Sequence, residues 1–250
     1  MKFRNKLLLL AGATGAAILF ANTLMNETVT GDIIIPDGFT VTAHTGCEKT
    51  KDNSLDAITI GFGYGADIVE FDLNFNNEGV AVLSHDEPKG KEHTLEEAFE
   101  LVAGYNNLLV NVDVKNTKDL RQVKELAEKY NLSERIFFTG ITEADVEAVK
   151  AQTPDISYYL NKDLDKSRIE DIVYIEELIA LVKNLGARGL NIKFSTCSSL
   201  MVDMFHKEGL EISVWTVNKK SDMKKVLTLG CDNITTRNVS DLLAMLNPVN

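Results

Sequence analysis

The sequence predicts an α/β fold in which eight parallel strands alternate with helices and close into a (β/α)8 TIM barrel. Short apolar runs rich in β-branched residues recur along the chain, and stretches with the helical 3.6-residue period lie between them. Several helical stretches end at a glycine, as at Gly186 and Gly209, which is typical of a helix C-terminus. The 250-residue chain is also long enough for a barrel, which needs ~200 residues. An open, doubly wound sheet is the competing fold.

The predicted elements follow one another in regular order. The strands are expected at 40–46, 67–75, 108–114, 135–139, 156–160, 189–194, 211–217 and 233–236. The helices are expected at 54–63, 95–103, 118–130, 143–151, 170–185, 198–207 and 221–229. After the second strand, the turn at 76–79 predicts a hairpin that returns the chain through 80–84.

Residues 1–26 are predicted to be a signal or membrane-anchor segment. Lys2, Arg4 and Lys6 precede the uncharged stretch 7–25, which at 1.5 Å per residue approaches the ~30 Å core of a bilayer. Basic residues before such a stretch keep the N-terminus in the cytoplasm, so the domain after it is expected to be extracytoplasmic, either anchored or secreted. A buried helix of a soluble protein is the alternative. A linker at 27–38 and the barrel domain at 39–250 would follow.

Charge and cysteine content exclude some classes of function. The formal net charge is −11, and the three basic residues near the N-terminus leave −14 for the rest, which argues against a nucleic-acid partner. A phosphate-bearing substrate therefore needs a local cation site rather than attraction by the overall field. Cys47, Cys197 and Cys231 cannot all pair and have no CxxC spacing, which argues against a disulfide framework.

Three carboxylates form the strongest candidate site. Glu70 and Asp72 lie two residues apart in an apolar strand, so they point to the same face, where burial is costly without a cation. Asp113 lies near the end of the next barrel strand. Hard cations prefer oxygen ligands, so these residues are candidate ligands of Ca²⁺ or Mg²⁺. The alternative is that they are simply exposed at a frayed strand end.

The other candidate residues fall at the same end of the predicted barrel. The C-terminal ends of the strands form the active-site face of a (β/α)8 barrel. His44 follows strand one, Lys115 ends strand three and Trp215 lies near the end of strand seven, while the hairpin returns His85 to the same mouth. Two histidines beside carboxylates suit an acid–base pair, although a structural role is the default for either alone.

The ordered set of motifs resembles the glycerophosphodiester phosphodiesterase family of the PLC-like phosphodiesterase superfamily. The resembling motifs are His44-Thr45-Gly46, Asp52-Asn53-Ser54, Gly65-Ala66-Asp67, Glu70-Phe71-Asp72, Gly79, His85-Asp86, the run Asn111 to Lys115, and the run Trp215 to Asn218. The pattern differs at Thr45, where the family has Arg, and at Asp52 and Asp113, where it has Glu; the run Thr235-Thr236-Arg237 replaces its usual Thr-Asp. The chain also lacks the family's common insertion after Asp86.

The resemblance implies metal-dependent hydrolysis of glycerophosphodiesters to glycerol phosphate and an alcohol. It implies that His44 and His85 are the acid–base pair and that the three carboxylates hold the metal ion. Lys115 and Trp215 are then expected to bind substrate, Lys115 at a phosphate oxygen and Trp215 against the alcohol or lipid part. Two alternatives stay open: a lysophospholipase D or sphingomyelinase D-like cyclising activity on lipids such as lysophospholipids, and a binding protein with impaired catalysis.

Overall fold

A computed structural model describes residues 32–247, which fold into an α/β barrel. Its strands are β1 (Thr40–Ala43), β2 (Ile68–Phe75), β3 (Ala81–Leu83), β4 (Leu109–Val114), β5 (Ile136–Ile141), β6 (Tyr158–Asn161), β7 (Gly189–Lys193), β8 (Glu211–Trp215) and β9 (Asn233–Thr236). Its helices, within the same residues, are α1 (Leu55–Gly63), α2 (Leu95–Ala103), α3 (Arg121–Lys129), α4 (Val146–Gln152), α5 (Ile172–Leu185), α6 (Ser199–Lys207), α7 (Lys220–Leu227) and α8 (Val239–Leu246). Single 3₁₀ turns lie at Cys47–Lys49, Ser133–Arg135, Lys166–Arg168 and Phe194–Thr196.

The sheet closes on itself, which confirms the barrel and not the open sheet. Strands β1, β2 and β4 to β9 pair in parallel in the order of the chain, and β1 pairs with both β2 and β9. The short β3 pairs antiparallel with β2 and lies outside the parallel set. Gly79 in the connecting turn has a φ of 81°, a left-handed conformation that glycine adopts without strain.

The core fills the space between the strands and the helices. Val69, Phe71 and Leu73 of β2 alternate with its polar residues and belong to this apolar core. The rings of Phe71 and Phe99 lie 6.3 Å apart and join β2 to α2. The same alternation turns Glu70 and Asp72 towards the inside of the barrel, where a second apolar cluster that includes Ile68 and Phe137 is also buried.

Several predicted boundaries were wrong, and one helix was missed. Strand one ends at Ala43 rather than at residue 46, because Gly46 adopts a φ of 72° and a 3₁₀ turn follows it. Helix α8 was not predicted, although its apolar residues Val239 and Leu242 are buried. Helix α4 begins at Val146, three residues later than predicted, since Thr142 donates both its backbone N–H and its hydroxyl to the Asp145 carboxylate.

The predicted signal or anchor segment at 1–26 lies outside the described residues, as does the start of the predicted linker. The described end of that linker runs beside the barrel, where the Ile34 N–H donates to the Leu227 carbonyl at 2.8 Å. Among residues 32–247, no helix combines the length and the apolar character that a membrane crossing requires.

Candidate active site

Three carboxylates converge inside the barrel on two neighbouring strands. Glu70 and Asp72 lie in β2 and Asp113 lies in β4, and the register of the two strands places Asp72 directly opposite Asp113. One oxygen of each carboxylate lies within 4.8 Å of the others. Glu70 and Asp72 are buried, which excludes for them the alternative of exposure at a frayed strand end.

The electrostatics of this cluster favour a bound cation. Burial raises the pKa of Glu70 well above its ordinary value, and the charges of Asp72 and Asp113 raise it further. One ammonium group, that of Lys115, contacts the cluster and cannot neutralise three carboxylates. Hard divalent cations take several oxygen ligands, so Glu70, Asp72 and Asp113 fit an ion such as Ca²⁺ or Mg²⁺.

Lys115 follows β4 and bridges two of the carboxylates. Its Nζ lies 3.0 Å from Oδ1 of Asp72 and also contacts Oδ2 of Asp113. Burial alone would lower the pKa of Lys115, but the charges of Asp113 and Asp72 outweigh it and raise the pKa. Lys115 is therefore positively charged, which suits its predicted contact with a phosphate oxygen.

Neighbouring polar side chains hold the carboxylates in position. Asn53 donates from Nδ2 to Oδ2 of Asp72 at 2.8 Å, and its Oδ1 accepts the backbone N–H of Asp72 at 3.0 Å. The Thr139 hydroxyl of β5 lies 2.8 Å from Oδ1 of Asp113 and from Oδ1 of Asn111, and its single proton can be donated to either oxygen. These contacts fix the aspartates from both sides of the β2–β4 pair.

His44 follows β1 and is largely buried beside the carboxylates. Its Nδ1 lies 2.7 Å from the Thr45 carbonyl, which can only accept, so Nδ1 carries the proton and Nε2 is left as the acceptor. Nδ1 also lies 3.8 Å from Oε2 of Glu70, which accepts the Thr45 N–H at 2.8 Å. Burial lowers the pKa of His44 from its ordinary 6.5. The imidazole is thus neutral near pH 7 and can accept a proton.

His85 has a different setting. It follows β3 on the returning hairpin, and its side chain is 68% exposed. Its Nδ1 lies 2.9 Å from Oδ1 of Asp86. The hydrogen bond and charge of His85 lower the pKa of Asp86, so this carboxylate is ionised and accepts from Nδ1. The Nε2 atom is left to face the mouth of the barrel.

One cavity of about 430 Å³ brings the predicted residues together. It is lined by all seven sequence candidates, His44, Glu70, Asp72, His85, Asp113, Lys115 and Trp215. The indole Nε1 of Trp215 is buried without a hydrogen-bond partner among the described residues. The volume lies in the range typical of small-molecule sites, ~300–1,000 Å³.

The sequence analysis missed several polar residues of this cavity. They are Asn111, Asn116, Thr117, Thr139, Thr142, Asp145, Asn161, Asn191 and Thr235. Those that lie in strands could have been identified from their apolar neighbours. Asn191, for example, stands between Leu190 and Ile192 in a buried strand. A lone polar residue at such a position points into the lumen. Its Nδ2 donates to Oδ1 of Asn161 at 3.2 Å, so the floor of the site is a hydrogen-bonded polar surface.

Contacts with the segment that follows β9 fix the β1–α1 connection, which carries His44. Arg237 donates from Nη1 to the Asp52 carboxylate at 2.5 Å across the backbone of Gly46. Glu48 accepts the backbone N–H of Ser240 at 2.9 Å and its hydroxyl at 3.0 Å. Asp52, which replaces the family's Glu, thus pairs with Arg237 of the run 235–237, which also departs from the family pattern.

Comparison with known proteins identifies a family and several relatives that the chain matches. The model of the glycerophosphoryl diester phosphodiesterase family matches residues 88–240, more than half of the chain. A glycerophosphodiester phosphodiesterase of Caldanaerobacter subterraneus subsp. tengcongensis is 23% identical over an alignment 249 residues long, gaps included. The alignment covers 82% of this chain and 97% of that protein.

Solved structures share the barrel. The glycerophosphodiester phosphodiesterase of Thermotoga maritima superposes with a TM-score of 0.66 at 22% identity, covering 84% of this chain and 98% of that one. A phosphodiesterase of Oleispira antarctica, solved with its product sn-glycerol-3-phosphate, has a TM-score of 0.66 at 18% identity and covers 85% of this chain and 97% of that one.

Proposed function

The chain belongs to the glycerophosphoryl diester phosphodiesterase family, and on that basis we propose that it hydrolyses glycerophosphodiesters to glycerol phosphate and an alcohol in a metal-dependent reaction. The convergence of Glu70, Asp72 and Asp113 within 4.8 Å, in the cavity that His44 and His85 also line, carries the proposal. The product bound to the Oleispira antarctica relative supports a glycerol phosphate product.

The three carboxylates are the groups that would hold the metal ion. Lys115 compensates only part of their negative charge, so three oxygen donors fit Ca²⁺ or Mg²⁺, and the donor set does not choose between these two ions. Such an ion, when bound, supplies Lewis-acid stabilisation of negative charge on a phosphate. Hydrogen bonds from Asn53 and Thr139 hold the Asp72 and Asp113 carboxylates in place.

The two histidines divide the proton transfers. The neutral His44 accepts a proton at Nε2 from the attacking oxygen, because its Nδ1 is held by the Thr45 carbonyl. His85, with Nδ1 held by Asp86, donates a proton from Nε2 to the oxygen of the leaving alcohol. In the return half of the cycle these roles reverse, so both residues recover their starting states.

Lys115 and Trp215 bind the substrate on either side of the reacting phosphorus. The Lys115 ammonium already sits between Asp72 and Asp113, where a non-bridging phosphate oxygen would meet it. Trp215 lines the same cavity and offers an apolar surface to the alcohol. The polar floor suits the hydroxyl groups of glycerol.

A second candidate is a cyclising cleavage of lysophospholipids. The exposure of His85 favours it, since the connection from β3 to α2 is short and adds no covering domain, which leaves room for a larger substrate. An extracytoplasmic location would bring the chain to such lipids, and it rests on the residues 1–26 alone. A cyclic phosphate product would distinguish this reaction from simple hydrolysis.

The test uses the full-length chain with glycerophosphocholine and lysophosphatidylcholine. Products are followed by phosphorus NMR after metal removal with EDTA and after return of Ca²⁺ or Mg²⁺. We expect metal-dependent release of glycerol phosphate that is lost in His44→Ala and kept in His93→Ala, a matched change at a partly exposed histidine next to α2. Binding of metal and substrate by a folded chain with no turnover would instead support the binding-protein alternative.

A further inference from the structure

Two cysteine thiols lie side by side in the core, away from the catalytic cavity. The Sγ atoms of Cys197 and Cys231 are 3.5 Å apart, although the residues are separated by 34 positions in the chain. Cys197 follows β7 and its 3₁₀ turn, and Cys231 precedes β9. We propose that this pair is a disulfide-forming site that closes when the chain meets a small-molecule disulfide.

The geometry suits a bond between these two residues. The sulfurs are in van der Waals contact, and a disulfide needs a separation of about 2.05 Å, so each has to move by less than 1 Å or so. Both side chains are buried, and Cys197 also precedes Ser198, the residue that caps α6. No large displacement of either segment is required.

The third cysteine provides a contrast. Cys47 is buried and its Sγ donates to the Ala57 carbonyl at 3.4 Å rather than meeting another thiol. Burial raises the pKa of the Cys47 thiol to about 11, which keeps it protonated and unreactive. Cys47 is thus an internal control in any oxidation experiment.

The chemistry is a thiol–disulfide exchange in two steps. Cys197 is the more exposed, at 7% against 2%, so its thiolate attacks the small disulfide first, forming a mixed disulfide and releasing one small thiol. The Cys231 thiolate then attacks the Cys197 sulfur and releases the second small thiol. The two protein thiols lose two electrons and two protons, and the small disulfide gains them. The hydrogen bond with Cys197, together with burial, raises the pKa of Cys231, so Cys231 stays protonated while Cys197 reacts first.

The bond would join two connections of the barrel. The chain between the cysteines contains α6, β8 and α7, so a disulfide would close this segment at both ends. Restricting a loop of this size in the unfolded chain should raise the melting temperature by about 5–10 °C. Activity should not change, since neither cysteine lines the cavity.

The experiment oxidises the reduced full-length chain with an equimolar mixture of reduced and oxidised glutathione, both in the folded state and during refolding from denaturant. Remaining thiols are alkylated and the chain is digested with trypsin without reduction. We expect the peptides 194–207 and 226–237 to appear as one cross-linked species, lighter than their sum by two hydrogens, while Cys47 is alkylated. The melting-temperature rise should persist in Cys47→Ala and vanish in Cys231→Ala.

Three results would overturn the proposal. They are absence of the 194–207 to 226–237 cross-link after both folded oxidation and refolding, a cross-link to Cys47 in its place, or a stable glutathione adduct on Cys197. The refolding arm matters because there the oxidant reaches both thiols before the core closes. A fall in the melting temperature on oxidation would contradict the expected stabilisation.

Discussion

The two histidines of the cavity occupy opposite kinds of structure. His44 directly follows a barrel strand and is held between the Thr45 carbonyl and Glu70. His85 sits on the hairpin outside the parallel strands and is 68% exposed, with the exposed Asp86 as its partner. The barrel therefore fixes the protonation state and orientation of the His44 imidazole, whereas the exposed His85 imidazole is free to change its orientation. This suits a pre-organised base and an acid that adapts to different leaving alcohols.

The largest expected effect comes from the fixed histidine. His44→Ala should lower kcat by about 10²–10⁴-fold, the usual contribution of a positioned acid or base. The loss should be the same for an alkyl and for a p-nitrophenyl phosphodiester, because the base acts on the attacking oxygen. Steady-state kinetics with the two substrates measure this. A loss confined to the alkyl substrate would reverse the assigned roles.

His85→Ala should show the opposite dependence on the leaving group. Turnover of glycerophosphocholine should fall by about 10²-fold or more, since an alkoxide leaves poorly without a proton. The p-nitrophenyl substrate should react within a few fold of the wild-type rate, because nitrophenolate leaves unaided. Equal losses on both substrates would show that His85 does not act as the acid.

The pH profile sharpens the same comparison. The pKa of His44 is lowered from 6.5 by burial, and a base is active only when unprotonated. The acid limb of kcat/KM should therefore have its midpoint below pH 6.5. The profile of the free enzyme between pH 4 and 8, roughly the range in which an imidazole titrates, measures this limb. An acid limb above pH 6.5 would mean that the base is a different group.

The smallest effect is expected at the ion pair that braces the His44 connection. Asp52 and Arg237 are both partly exposed, and exposed pairs contribute about 0–1 kcal/mol to stability. Arg237→Gln should therefore lower the melting temperature by at most about 4 °C. If the pair only holds the loop in place, Arg237→Gln and Asp52→Asn should lower kcat equally, by a few fold. Urea unfolding and kinetics on both variants test this, and a much larger kcat loss in Arg237→Gln alone would point to direct contact with substrate.

Part of the site could be predicted because it depends on local spacing. The Glu-x-Asp pair of β2 follows from the two-residue period of a strand, and the candidate residues at strand ends follow from the barrel rule. The approach of Asp113 to Asp72 depends on the register of β2 against β4, which no local pattern encodes.

Other contacts could not be predicted from the sequence either, because they too join residues that are far apart along the chain. Asn53 meets Asp72 only because its backbone takes a φ of 55°, and Asp52 meets Arg237 across 185 positions. Asn161 and Asn191 were overlooked as polar residues of otherwise apolar strands. Contacts made by closure of the barrel bring these residues together, so they appear only once the whole fold is known.

The central claim is that carboxylates hold a metal ion while His44 moves a proton, and these two duties can be separated in one pair of variants. Calorimetric titration with Ca²⁺ and Mg²⁺, together with turnover of glycerophosphocholine on the same samples, tests it most directly. His44→Ala should bind metal within a few fold of wild type and lose turnover, while Glu70→Gln should lose both. Full turnover in His44→Ala, or unchanged metal affinity in Glu70→Gln, would contradict the account.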